Sequence, residues 1–222
     1  MRDFAAQTGA ILWKDLLLEL RSRDIFTGMF VFALVVLVVF NFAFDLRLER
    51  PEAVAPGVIW VTVVFAGVLG IGRTIAVEKD RGTLEGLLLA PMDRSAIYLA
   101  KLAANALFMG LVEVVAFPFF AVLFNAPILE LELIVIAALG TLGFAAVGTL
   151  FAAMAANSRA RELLLPVLLF PITVPVIIAA VGATGAIMTD PLDGPPWLGL
   201  LLAFDVLFGV VGFLVFDYVL ET

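Results

Sequence analysis

Long apolar runs separated by short polar segments make up most of this chain. Each of six runs has the roughly 20 apolar residues that a helix needs to cross the hydrocarbon layer of a bilayer. The pattern predicts an all-α polytopic membrane protein, formed as a single domain over residues 1–222. The six predicted spans are 25–44, 53–72, 97–124, 133–158, 163–189 and 194–216.

The fifth predicted span contains Pro166, Pro171 and Pro175. Proline has no N–H to donate, and its ring crowds the preceding helical turn. The carbonyl groups left without a donor need partners on neighbouring helices, because the bilayer core offers no water. We therefore expect this span to be kinked or partly unwound.

Residues 1–24 have a shorter, amphipathic pattern that predicts an interfacial helix on the inner leaflet, with its tryptophan among the lipid headgroups. Its apolar stripe contains Leu12, Trp13, Leu16, Leu17 and Leu20, and the opposite side contains Lys14, Asp15, Glu19 and Arg21.

The polar segment at 78–95, between the second and third spans, predicts a short helix that Pro91 ends. Such a helix either docks into a partner protein or lies as an amphipathic linker on the membrane surface. Its apolar face holds Leu84, Leu87 and Leu88, and the positions available to another surface are Glu78, Asp80, Arg81 and Glu85.

Composition supports a membrane protein and excludes several kinds of site. Hydrophobic residues make up 64% of the chain and charged residues 15%, whereas a soluble domain is about half apolar and a quarter charged. Cysteine and histidine are absent, which excludes disulfides, thiolate nucleophiles, Cys/His zinc sites and histidine haem ligation within this chain. There is also no G-x-x-x-x-G-K-[ST] sequence, so this chain cannot bind ATP in the usual P-loop manner.

Lysine and arginine predict the orientation, because they are enriched in cytoplasmic loops. The second and fourth connections and the N-terminal segment share one side and hold eleven basic residues, counting Lys101 at the start of the third span, whereas the other side holds two and is strongly acidic. We therefore predict that both termini are cytoplasmic, and we expect no nucleic acid as a partner.

Two carboxylates, Glu113 and Asp205, fall inside predicted spans. A charge within a span is costly and usually faces the bundle interior or a partner. Each residue has either such a role or a position closer to the membrane surface than the boundaries indicate. No catalytic motif or polar ring accompanies them, which argues against an intramembrane enzyme and an ion channel.

The polar segment resembles the coupling segment of exporter-type ABC permeases, through Glu78, Gly82-Thr83-Leu84-Glu85, Leu88 and Pro91. The whole chain resembles the CcmB family, the haem-exporter permeases of cytochrome c biogenesis. One departure is Asp217, where the family is expected to carry glutamate. The stretches that carry this resemblance are Trp13–Arg23, Gly86–Lys101, Leu163–Pro171, Phe204-Asp205 and Phe216–Glu221.

The resemblance implies a non-catalytic permease subunit that acts with several other chains. These are an ATPase of the CcmA type, a haem-handling membrane subunit of the CcmC type, a small subunit of the CcmD type and a haem chaperone of the CcmE type. ATP would act through the ATPase and haem would be handled by a partner, so we expect no cofactor or metal on this chain. The alternative is an ABC exporter permease for a lipid, drug or glycan.

The predicted topology is testable by cysteine labelling of this cysteine-free chain. Single cysteines at Ser22, Ser95 and Ser158 should resist an impermeant thiol reagent in intact cells, because the positive-inside rule places them in the cytoplasm. Cysteines at Ala126 and Gly194 should react. Labelling of Ser95 from outside would contradict the arrangement.

Overall fold

The computed structural model describes residues 2–45, 54–80, 82–124, 131–156, 158, 160–189 and 196–221. The described residues form eight helices and no strand, which confirms the all-α class. The helices are α1 (Arg2–Ser22), α2 (Asp24–Asp45), α3 (Ala55–Asp80), α4 (Thr83–Leu89), α5 (Arg94–Phe124), α6 (Leu131–Ala156), α7 (Arg161–Thr189) and α8 (Trp197–Glu221).

Six of the described helices are long and apolar enough to cross a membrane: α2, α3, α5, α6, α7 and α8. They agree with the six predicted spans, but two of them extend well beyond the apolar runs. α3 continues eight residues past position 72 to Asp80, and α8 continues five past position 216 to Glu221. Charged residues such as Glu and Lys are good helix formers, so a helix does not end where its apolar run ends.

α7 remains a continuous helix through Pro166, Pro171 and Pro175, so the partly unwound alternative is wrong. α7 is packed against α3, α6 and α8, and neighbouring helices and threonine hydroxyls make prolines tolerable in membrane helices. Thr173, between the last two prolines, donates to the carbonyl oxygen of Leu169 at 3.0 Å.

α6 is the central helix and packs against α3, α5, α7 and α8. Small residues let its neighbours approach closely, as is usual where membrane helices associate. At Gly140 the indole ring of Trp60 lies so close that any Cβ would collide with it. The indole Nε1 of Trp60 donates to Thr184 Oγ1 at 2.9 Å, which joins α3 to α7 across this contact.

Buried hydrogen bonds connect α3, α5 and α6 toward the end of the bundle where α3 and α6 end and α5 begins. We call this the α1 end, because α1 packs there. Thr74 Oγ1 donates to Asn105 Oδ1 at 3.1 Å, and Asn105 Nδ2 donates to Thr149 Oγ1 at 2.9 Å. The hydroxyl of Tyr98 donates to the carbonyl oxygen of Ala146 at 3.2 Å. These bonds give buried polar groups partners inside the bundle, where no water would replace them.

α1 crosses this same end of the bundle. The ring of Phe4 meets that of Phe213 on α8 at a centroid distance of 6.2 Å, and the middle of α1 packs on α5. The sequence pattern placed Asp15 and Glu19 on the polar side, away from the apolar stripe. In the structure these two acids face the bundle and are buried, whereas Trp13 is 62% exposed. The apolar stripe of α1 is therefore divided: Leu12 and Leu16 pack against the core, whereas Trp13 and Leu20 face outward.

Candidate functional site at the charged end of the bundle

A buried cluster of four charged side chains joins three helices at the α1 end. Lys101 Nζ of α5 lies 2.7 Å from Asp15 Oδ2 of α1 and 2.8 Å from Glu78 Oε1 of α3. Lys14 of α1 pairs with the same oxygen of Glu78 and lies 3.2 Å from Asp15 Oδ1. We call Lys14, Asp15, Glu78 and Lys101 the four-charge cluster.

The four-charge cluster is neutral overall, and three of its members are almost completely buried. Lys101, Glu78 and Asp15 are 3%, 4% and 8% exposed, whereas Lys14 reaches the surface. Removing ions from water is expensive, so buried charges require opposite charges and hydrogen bonds. The alternating arrangement supplies these to all four side chains, although Glu78 Oε2 has no partner among the described atoms.

Lys14 is held in its charged form. Burial lowers its pKa, but the hydrogen bond and charge of Glu78, together with the charge of Asp15, outweigh burial and raise the pKa above its ordinary value. Lys14 therefore remains a cation throughout the physiological pH range and keeps pairing with Glu78.

The cluster depends on where the helices end. α3 continues beyond its apolar run and brings Glu78 to the level of α1. Lys101 lies seven residues into α5, about 10 Å from the start of that helix. The sequence pattern makes Glu78 available to another surface. The structure corrects this expectation, since Glu78 is buried against Lys101.

A second buried acid fixes the corner between α1 and α2. Glu19 Oε1 accepts a hydrogen bond from the backbone N–H of Phe26 at 2.7 Å, in the first turn of α2. A carboxylate at this position satisfies an otherwise unpaired N–H and interacts favourably with the helix dipole. Arg23 makes the turn with a positive φ of 58°. Together these contacts set the angle at which α1 leaves the first span.

The predicted coupling segment is divided between two helices. Glu78 and Asp80 belong to the last turn of α3, and the separate helix α4 has only seven residues, Thr83–Leu89. Gly82, with a φ of 66°, makes the break between the two helices. Thr83 Oγ1 donates to the carbonyl oxygen of Glu78 at 3.1 Å, so α4 is attached directly to the part of α3 that enters the four-charge cluster.

The predicted docking residues therefore have different environments. Leu87 is half-buried against the core, and Asp80 is exposed. Leu89, which the sequence analysis did not select, is 87% exposed. Arg81 and the side chains of Leu84, Glu85 and Leu88 lie outside the described residues.

α1 and α4 border an open groove at this end of the bundle, with a volume of about 590 Å³. Its lining is mostly apolar, and Lys14 lies at its edge. A groove of this composition suits an apolar side chain or a short helix from another protein. The lining residues are Ala6, Gln7, Ala10, Ile11, Lys14, Leu87 and Met92.

Glu113 lies inside the bundle, and its side chain is buried. The hydroxyl of Thr141 on α6 donates to Glu113 Oε1. The carboxyl group also borders a narrow internal cavity beside Thr62 and Met109. Glu113 of α5 is therefore an internal contact to α6 and does not face lipid.

Asp205 lies on the opposite face of α6. It is 9% exposed, and neither of its carboxylate oxygens has a hydrogen-bond partner among the described atoms. It fits against α6 because Gly143 has no side chain, and a Cβ there would collide with Asp205 Oδ1. Asp205 of α8 is thus an internal carboxyl group without a hydrogen-bond donor among the described residues, whereas Glu113 has the hydroxyl of Thr141 as its donor.

Sequence reasoning missed Asp15, Lys101 and Asn105 as buried polar residues. A signal was present for Lys101, because it follows six apolar or weakly polar residues and is followed by more than ten without a charge. A lysine in that setting requires an acidic partner. The partner itself was not identifiable, because Asp15 is 86 residues away in the chain. Among the described residues, no group of three or more Asp or Glu side chains is arranged to hold a metal ion.

Comparison with known proteins identifies the family. The family model described as CcmB protein matches residues 6–219, almost the whole chain. The chain belongs to the CcmB family. Among its relatives is Heme exporter protein B of Rhodobacter capsulatus, 32% identical over 193 residues, which cover 82% of this chain and 87% of that protein. Heme exporter protein B of Escherichia coli K12 is 30% identical over 203 residues, which cover 87% of this chain and 91% of that protein.

A third relative, Heme exporter protein B of Pseudomonas aeruginosa, is 30% identical over 173 residues, covering 78% of this chain and 76% of that protein. These matches extend over most of each CcmB-family chain. The resemblance inferred from Trp13–Arg23, Gly86–Lys101 and the later stretches is therefore confirmed.

The four-charge cluster yields a test of stability. Lys101→Met keeps an apolar stem of similar length but leaves Asp15 and Glu78 with Lys14 alone. We expect the free energy of unfolding to fall by about 3–5 kcal/mol, the usual effect of leaving a buried charge unpaired. Thermal unfolding of the purified protein in detergent measures the change.

Arg21→Met is the matched control, because Arg21 is exposed on α1, and it should change stability by less than about 0.5 kcal/mol. Adding Glu78→Gln to Lys101→Met should recover part of the loss, since it removes one charge of the opposite sign. Equal melting temperatures for Lys101→Met and Arg21→Met would show that the cluster does not stabilise the fold.

Proposed function

We propose that this chain is the membrane-spanning permease subunit of an ABC transporter complex for cytochrome c maturation. It couples ATP hydrolysis by a separate ATPase subunit to haem export, or to release of the haem-loaded chaperone. The family match and the relatives named Heme exporter protein B support the haem system. The observation that carries the coupling role is the attachment of exposed α4 to the four-charge cluster.

The ATPase, of the CcmA type, docks on α4 and the adjoining groove. Leu89 offers an almost fully exposed apolar side chain in a short helix, and Asp80, at the end of the preceding helix α3, is exposed as well. Buried apolar anchors within a polar rim dominate protein interfaces. In this arrangement Leu89 is an anchor and Asp80 is a rim charge. Glu78 has no part in the contact because it is used inside the cluster.

Motion of α4 reaches the bundle through the end of α3. α4 is bonded to the Glu78 backbone, the Glu78 side chain is paired with Lys101, and Lys101 holds Asp15 of α1. A displacement of α4 therefore acts on three helices together. Since buried ion pairs tolerate little separation before both ions become unpaired, the linkage is stiff.

The α1 end faces the cytoplasm of the bacterial inner membrane, and both termini lie on that side. Support comes from the excess of lysine and arginine at this end, and from the requirement that an ATPase has access to α4. The exposed Trp13 and Leu20 of α1 then rest in the inner leaflet, as tryptophan and leucine do in interfacial helices.

Haem is coordinated by another subunit. His and Cys are absent from this chain, and Met109 is buried in core packing against Gly67. The partners are then a CcmC-type subunit that handles haem, a CcmD-type small subunit and a CcmE-type chaperone. The chain itself is non-catalytic, and it supplies the movement that ATP hydrolysis drives.

Docking on α4 predicts the behaviour of Leu89→Asp. The substitution should leave the fold intact, because the side chain is 87% exposed, but should weaken ATPase retention in membranes at least about tenfold. Quantifying the ATPase that sediments with membranes, alongside mature cytochrome c, measures the effect. Ser22→Asp, which adds the same charge at another exposed position of this end, is the control. Normal retention in Leu89→Asp would mean that α4 is only a linker.

Substitutions of the two internal carboxylates, Glu113 and Asp205, should affect cytochrome c maturation. Glu113→Gln keeps an acceptor for Thr141 and should preserve both folding and cytochrome c maturation, whereas Glu113→Leu should impair maturation. Asp205→Leu should impair it as well if this group contacts a partner or moves during the cycle. Glu132→Gln, at the exposed start of α6, is the control. Normal maturation in both leucine variants would exclude a functional role for these carboxylates.

A further inference from the structure

A second groove lies between α3, α6 and α7 at the α1 end, on the other side of α3 from the four-charge cluster. Its volume is about 640 Å³. Among the described residues, the walls are small or aliphatic, and two charged residues line the groove, Arg73 and Asp80, both on α3. We call it the Arg73 groove; its other lining residues include Leu69, Gly72, Ala76, Ala152, Leu165 and Pro166.

The Arg73 groove is positioned at the edge of the hydrocarbon layer. α3 has no charge from Ala55 to Gly72, a length of about 27 Å, and Arg73 is the first charged residue after it. Val61, Phe65 and Leu69 form an exposed stripe at four-residue spacing, and Arg73 is the next position on that stripe. The arginine therefore ends a face that is turned toward lipid, at the depth of phospholipid phosphates.

Arg73 is exposed, and none of the described carboxylates forms an ion pair with it. Several other cations at this end are already bound within the chain: Lys101 and Lys14 in the four-charge cluster, and Lys79 on the carbonyl oxygen of Ala156 at 2.6 Å. The guanidinium group of Arg73 thus presents five donors to a groove whose other described lining residues, apart from Asp80, are small or apolar.

We propose that the Arg73 groove binds phosphatidylglycerol. The phosphodiester accepts paired hydrogen bonds from the Arg73 guanidinium, whose planar geometry matches phosphate oxygens. An acyl chain lies along Leu69 and Phe65. The hydroxyl groups of the glycerol headgroup donate to Asp80, which lines the same groove. Asp80 also disfavours a headgroup with more than one negative charge.

Haem fits this groove less well, although it is also an anionic amphiphile. None of the described lining residues is a His, Cys, Met or Tyr that would ligate its iron. A phospholipid needs no such ligand and is present in the membrane at high concentration. Basic sites between membrane helices at the cytoplasmic surface are typical positions for bound anionic lipids.

Native mass spectrometry of the full-length protein in detergent tests the proposal. Wild-type protein titrated with phosphatidylglycerol should retain one lipid with at least about tenfold higher affinity than it retains phosphatidylcholine. Arg73→Gln should lose about tenfold in affinity for phosphatidylglycerol, as expected when a charge-assisted hydrogen bond is removed. Its melting temperature without lipid should be unchanged, because Arg73 is exposed.

Arg94→Gln is the matched control. Arg94 is another arginine of the α1 end, but it lies 3.6 Å from Asp217 on α8 and outside the groove lining. This variant should bind phosphatidylglycerol as wild type does. Equal phosphatidylglycerol affinity in wild type and Arg73→Gln would overturn the proposal. So would displacement of the lipid by stoichiometric hemin in wild type but not in Arg73→Gln, which would assign the groove to haem.

Discussion

Buried charge at the α1 end determines how the non-spanning parts of this protein are attached. α1 turns Trp13 and Leu20 outward, whereas Leu12 and Leu16 pack against the core. The same helix is also held by its acids, because Asp15 and Glu19 find partners on α5 and α2. Asp15 is stable in this position because Lys101 and Lys14 neutralise it together with Glu78. Loss of any member would leave an unpaired ion between helices.

The same cluster explains why α3 extends beyond the apolar run. Its last turns carry Glu78 to Lys101, and α4 then starts after a single left-handed glycine. A short helix on a mobile loop would transmit little force to the membrane domain. α4 is bonded to a backbone position whose side chain is part of the cluster, so movement there reaches α1, α3 and α5 together. The proposed coupling function depends on this mechanical connection.

The centre of the bundle relies on close packing and hydrogen bonds, because in lipid there is little hydrophobic gain from bringing apolar helices together. Gly140 and Gly143 on α6 give Trp60 and Asp205 the space they occupy. Asn105 connects three helices through Thr74 and Thr149. Glu113 and Asp205 approach α6 from different helices, but only Glu113 has a donor there among the described residues. This difference makes Asp205 the carboxyl group whose environment is least satisfied in the isolated chain.

The sequence by itself determined the helical class, the six spans, the acids within them and the CcmB family, because these depend on local composition and on ordered stretches of residues. The apolar runs of 20 residues or more are long enough to predict each span without knowledge of its neighbours. The sequence also indicated a short helix before Pro91, but not where it would separate from α3, because charged residues continue a helix as readily as they end it.

Only the tertiary structure decided which polar residues are internal. Glu78 and Asp80 are two residues apart, and a pattern of charges cannot distinguish them, yet one is buried in an ion cluster and the other is exposed. The difference arises because Lys14 and Lys101, distant in the chain, meet on one side of α3. The tertiary structure also decided the orientation of α1. Its acidic face turns inward because the bundle offers the cation of Lys101 to Asp15 and the N-terminus of α2 to Glu19. Pairings between distant residues depend on how the helices are arranged in space, and periodicity along one helix does not contain that information.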